Sequence, residues 1–72
     1  MKLYRYATLM RPAGPGAVPR DGLDHCQDAE GTAPSGHRIW SICDYTRELT
    51  EKELNDYEME FLHDFEICGM VL

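Results

Sequence analysis

The chain has 72 residues, 43% of them hydrophobic, and a formal net charge of −6. A chain this short forms one domain with a thin core, because at this size folding hides only about 60% of the surface that the unfolded chain exposes. Residues 1–42 carry five basic and four acidic groups whereas residues 43–72 carry two basic and nine acidic ones, which argues against direct binding to nucleic-acid phosphates or an anionic membrane, since both need clustered Lys and Arg.

Residues 2–10, with Leu3, Tyr4, Tyr6, Thr8 and Leu9, read as a strand that ends before Pro12, a residue without a backbone donor. Residues 12–22 hold three prolines and three glycines and read as an extended loop within a single domain spanning 1–72. Residues 23–28 have the length of a short strand but no β-branched residue. Gly31-Thr32-Ala33-Pro34-Ser35-Gly36 has turn composition, and residues 37–46, with Ile39, Trp40, Ile42, Tyr45 and Thr46, give the clearest strand. Thr50 then starts a helix: it is a good N-cap, Glu53 follows at the capping-box spacing, and Leu49 and Leu54 can form a hydrophobic staple. Leu54, Tyr57, Phe61 and Phe65 recur at helical spacing, so the helix is expected over 51–65. Residues 66–72 either carry it to a stop at Gly69 or form a final strand.

The expected fold is α+β: a small antiparallel sheet of two to three strands with one C-terminal helix packed on one face. Leu3, Leu9, Ile39, Leu54, Tyr57, Phe61 and Phe65 are the expected core. The three cysteines, Cys26, Cys43 and Cys68, are an odd number. Residues 1–10 also lack the apolar run of a signal peptide or membrane span, so a cytoplasmic protein without disulfides is expected.

His25, Cys26, His37, Cys43, His63 and Cys68 are potential zinc ligands, and a structural metal would support so thin a core. There is no Cys-x₂-Cys pair, however, and His25 and Cys26 as strand neighbours point to opposite faces, so a zinc-stabilised domain is only an alternative. No catalytic constellation and no cofactor follow from these residues. Gly14-Pro15-Gly16 lacks the pattern of a phosphate loop, and Pro12-Ala13-Gly14-Pro15 beside Arg11 fits a proline-recognition motif that a plain rigid loop explains as well.

Both long strands are apolar on both faces. Leu3, Ala7 and Leu9 alternate with Tyr4, Tyr6 and Met10, and Ile39, Cys43 and Tyr45 alternate with Trp40 and Ile42. One helix covers only one face. Tyr4, Tyr6, Trp40 and Ile42 are therefore expected to meet a protein partner or a second copy in a two-fold homodimer, unless the proline loop or the C-terminal tail folds over them. The chain is thus expected to be a non-enzymatic interaction or accessory protein. The alternative is a nucleic-acid mimic, in which Glu51, Glu53, Asp56, Glu58, Glu60 and Asp64 on the helix imitate a row of phosphates.

Two stretches carry a family resemblance. Tyr4-Arg5-Tyr6-Ala7-Thr8-Leu9-Met10-Arg11-Pro12 with Gly14-Pro15-Gly16-Ala17-Val18-Pro19, and Asp44-Tyr45-Thr46-Arg47-Glu48-Leu49-Thr50-Glu51-Lys52-Glu53-Leu54, resemble short uncharacterised bacterial proteins carried on mobile genetic elements of gut-type Firmicutes. They span 26 of the 72 residues. The resemblance implies an accessory or regulatory protein and assigns no activity or residue role.

Overall fold

The computed structural model of the chain describes residues 1–10 and 17–67. In chain order it comprises β1 (Lys2–Thr8), β2 (Leu23–Asp28), β3 (Ser41–Tyr45), α1 (Glu51–Asp56) and β4 (Met59–Glu66). The strands form one antiparallel sheet in the order β2-β3-β1-β4. β3 and β4 flank β1 and both run against it, so they are parallel to each other and their connection must cross a face of the sheet. α1 lies in that crossover.

The expected sheet of two to three strands with a helix over 51–65 is corrected: the fold is mostly β, with four strands and a helix of only six residues among the described residues. The helix start is as expected. Thr50 Oγ1 accepts from the Glu53 N–H at 3.2 Å and the Glu53 carboxylate accepts from the Thr50 N–H at 2.9 Å, a complete capping box. Tyr57 closes the last turn, and Glu58 takes a left-handed conformation, φ 49°, at the C′ position where glycine is usual. Residues 59–66 then pair with the second edge of β1, where strand hydrogen bonding prevails over helical spacing.

A bulge explains why this strand was disguised. Tyr6 pairs with Phe61 and Arg5 with His63, which leaves Leu62 as the extra residue. Phe61 and Phe65 are four apart and would share a face of a regular strand, but the bulge puts them on opposite faces. The same spacing in a helix would have aligned them.

Two clusters fill the two faces. On the helix face Tyr6, Cys43, Tyr45, Leu49 and Met59 are buried, with Tyr4, Val18, Leu23 and Leu54 against them. The Tyr45 hydroxyl donates to the Pro19 carbonyl at 2.8 Å, and burial raises its pKa well above the ordinary value. Tyr6 is also raised by burial, and its hydroxyl oxygen accepts from the Leu49 N–H at 2.9 Å. On the opposite face Ala7, Ala33 and Ile39 are buried with Leu9, Ala29, Ile42 and Leu62. This cluster forms because residues 29–39 fold back over the sheet, closed by the Thr32–Arg38 bridge and the Ile39 N–H to Gly31 carbonyl bond at 2.9 Å. Residues 11–16 of the proline loop and 68–72 of the tail, the other expected covers, lie outside the described residues.

Of the expected core, Leu3 and Ile39 are buried, and Leu9 and Leu54 pack on the clusters. Phe65 is half-buried, while Tyr57 and Phe61 are exposed, a direct result of the shortened helix. The expectation of no disulfide is also corrected: Cys26 and Cys43 face each other across β2 and β3 and are bonded. Residues 17–22 form no strand or helix, in keeping with the expected loop. Arg11, the Pro12–Pro15 motif, Gly14-Pro15-Gly16, Cys68 and Gly69 lie outside the described residues.

Candidate functional site

One polar row crosses the whole sheet on the face opposite α1. His25 of β2 pairs with Asp44 of β3, Asp44 with Arg5 of β1, and Arg5 with His63 of β4. Residues directly opposite each other in antiparallel strands share a face, so the four side chains stand side by side. Asp44 is the anchor, 1% exposed. Arg5 holds it with two hydrogen bonds, Nε to Oδ1 at 2.8 Å and Nη2 to Oδ2 at 3.0 Å, and this pairing raises the guanidinium pKa further above its ordinary value.

His25 extends the row on one side. Its Nε2 lies 3.2 Å from Asp44 Oδ2 and its Nδ1 lies 2.8 Å from Asp24 Oδ2. Only the imidazolium form can donate to both carboxylates at once. On the other side the Arg5 guanidinium lies 4.8 Å from the centre of the Phe65 ring, and the His63 ring stands 5.8 Å from Phe65. His25 and His63 are exposed, and Arg5 and Phe65 are half-buried. Composition alone concealed this row, because its charges lie far apart in sequence; the one available signal was that residues 25–28 and 41–44 are equidistant from Pro34-Ser35, inside the turn-forming stretch Gly31–Gly36.

The expected aromatic interface is divided by the sheet. Ala7 pairs with Ile42 and Tyr6 with Cys43, so Ile42 lies on the face opposite Tyr4 and Tyr6. Tyr6 is 2% exposed beneath the helix segment and Tyr4 is half-buried on that same face. Ile42 packs under residues 29–39, and Trp40 is half-buried with the Arg38 guanidinium 4.0 Å from its ring centre. The expected common patch of Tyr4, Tyr6, Trp40 and Ile42 is corrected on these grounds.

The acidic row is likewise not a helix face. Glu51, Glu53 and Asp56 belong to α1, Glu58 to the turn, and Glu60 and Asp64 to β4. Four of the six have local partners. Glu53 is held by Arg47, Asp56 by Lys52 at 2.7 Å, Asp64 by Lys2 at 3.1 Å, and Glu60 accepts from the Ser35 N–H at 3.0 Å. The zinc alternative loses the thiols of Cys26 and Cys43 to their disulfide, and among the described residues no group of three His, Cys, Asp or Glu side chains is arranged to hold a metal.

The row offers recognition chemistry. Both oxygens of Asp44 are taken by Arg5 and His25, and the row contains no Ser, Thr or Cys that a base would activate. Its outer members supply an arginine edge, two imidazoles and an aromatic ring, groups suited to polar and stacking contacts. Among the described residues no helix is long and apolar enough to cross a membrane. Residues 1–64 match the family described as defence against restriction A C-terminal, in agreement with the resemblance to small proteins associated with mobile elements. No curated protein and no solved structure matches the chain.

Proposed function

From the premise that this chain belongs to the defence against restriction A C-terminal family, we propose that it is a non-catalytic protein-binding module that acts in the cytoplasm, within apparatus shielding a mobile element from restriction. The observation that carries this reading is the row His25, Asp44, Arg5 and His63, flanked by Phe65, whose two histidines are exposed to solvent. A buried carboxylate locks Arg5 in one orientation, which lowers the entropy that a contact through it must overcome. Arginine and aromatic side chains in such settings are frequent binding hot spots. The partner contact thus moves from the aromatic face expected from sequence to this polar and aromatic strip.

Capture from an extract of cells carrying the element, at roughly 0.1 M and 1 M salt, tests the reading. A partner retained by the wild type at both salts, lost with His63→Glu and kept with Glu51→Gln is the expected result. A partner kept with His63→Glu, or released by high salt and by loss of the acidic groups, would instead support the nucleic-acid mimic. Sedimentation at about 100 µM, where micromolar contacts are populated, shows whether that partner is a second copy.

A further inference from the structure

The two cysteines of the Cys26–Cys43 disulfide differ sharply in exposure, since Cys26 is exposed and Cys43 is 1% exposed. An open cavity of about 180 Å³ lies against the bond, lined by both cysteines with Val18, Gln27 and Ser41 among others. β2 itself buries little: Leu23 is half-buried and the next five residues are exposed. Beyond its backbone bonds to β3 and the contact of His25 with Asp44, the disulfide is the main attachment of this edge strand.

We propose that Cys26–Cys43 is a thiol-exchange site, at which a low-molecular-weight thiol of the glutathione class attacks Cys26 and unlocks β2 from the sheet. The thiolate attacks Cys26 Sγ because Cys43 is shielded. A bond forms between the incoming sulfur and Cys26, and the bond between the two cysteines breaks with its electron pair going to Cys43. Cys43 then takes a proton from solvent and remains as a small apolar thiol in the core. A second thiolate attacks the incoming sulfur of the mixed disulfide and releases Cys26 as a thiolate. Two small thiols are thereby oxidised to their disulfide while the protein disulfide is reduced, and the small disulfide drives the reverse sequence. A reducing cytoplasm supplies the reductant.

The other strands keep both core clusters when β2 loosens, apart from the packing of Leu23. His25 adjoins Cys26 on β2, so the same event withdraws His25 from Asp44 and exposes the outer edge of β3. The exchange chemistry does not depend on the proposed partner, and its test uses none.

The test equilibrates the unsubstituted chain with mixtures of reduced and oxidised glutathione, maps each cysteine by peptide mass and follows amide hydrogen exchange. The expected result is a Cys26–Cys43 disulfide at the oxidising end, glutathione on Cys26 and not on Cys43 at intermediate ratios, and two thiols at the reducing end. Amides of residues 23–28 should exchange on the order of tenfold or more faster in the reduced form, with those of β1 and β4 unchanged. A Cys26→Ser/Cys43→Ser chain should show the fast exchange at every ratio. Glutathione on Cys43, no disulfide at any ratio, or equal β2 exchange in both forms would each overturn the proposal.

Discussion

Arg5 and Asp44 face each other across β1 and β3, joined through both carboxylate oxygens at 2.8 and 3.0 Å, and Asp44 is almost wholly withdrawn from water. Arg5→Met leaves that carboxylate with only the His25 imidazole, 3.2 Å away, as a side-chain partner among the described residues. The expected loss is about 2–3 kcal/mol, at or below the low end for a broken buried pair because Arg5 itself reaches solvent. Adding Asp44→Leu should recover part of it, and denaturant unfolding of the single and double variants measures both terms.

Glu58 pays a backbone cost at the end of α1 that its side chain does not offset through any hydrogen bond or ion pair among the described residues. Glycine takes the left-handed conformation without the crowding that a Cβ introduces. Glu58→Gly should therefore stabilise the chain by about 0.5–1 kcal/mol, read as a higher urea midpoint with an unchanged slope. A lower midpoint would show that the helix does not stop there.

Arg47 donates to both oxygens of Glu53, at 2.8 and 2.7 Å, and the Thr50 N–H adds a third bond. Chiefly through Arg47, the carboxyl is held down at about 2, against an ordinary value of 4.5. Its folded value lies below its unfolded one, so the stabilisation is complete above about pH 4.5 and is lost as pH falls toward about 2. Melting temperatures across that window should fall more steeply for the wild type than for Glu53→Gln. Parallel curves would contradict the assignment.

Phe61 separates the strand from the helix that its spacing suggested. As a core helix residue its truncation to Ala would cost about 3–5 kcal/mol. In β4 it is 42% exposed and meets Tyr6 edge to face at 5.4 Å, so Phe61→Ala should cost only about 1 kcal/mol. Leu3→Ala, at a fully buried site, should cost about 3 kcal/mol or more. Similar losses at the two sites would argue against the strand.

The strands were legible in places where local composition decides structure. Aromatic and β-favouring runs located β1 and β3 within two to four residues of their ends, and residues 23–28 coincide with β2. The capping box located the start of α1 because its two hydrogen bonds form within four residues. What the sequence concealed was all long-range. The stripe of Leu54, Tyr57, Phe61 and Phe65 fits a helix, and only the demand of β1 for a second partner, together with the bulge at Leu62, turns its latter half into a strand. The Cys26–Cys43 bond and the polar row depend on cross-strand register, which a bulge between Leu23 and His25 also shifts.

The side-chain resonances of the three histidines give the most direct measure of where a partner binds. His25 and His63 belong to the polar row, whereas His37 lies in the segment over the second cluster, 2.9 Å from Ser35 Oγ. Adding the captured partner to the isotopically labelled chain should shift and broaden the imidazole signals of His25 and His63 and leave those of His37 in place. Movement of His37 alone, or of none of the three in a saturated complex, would contradict recognition through the row.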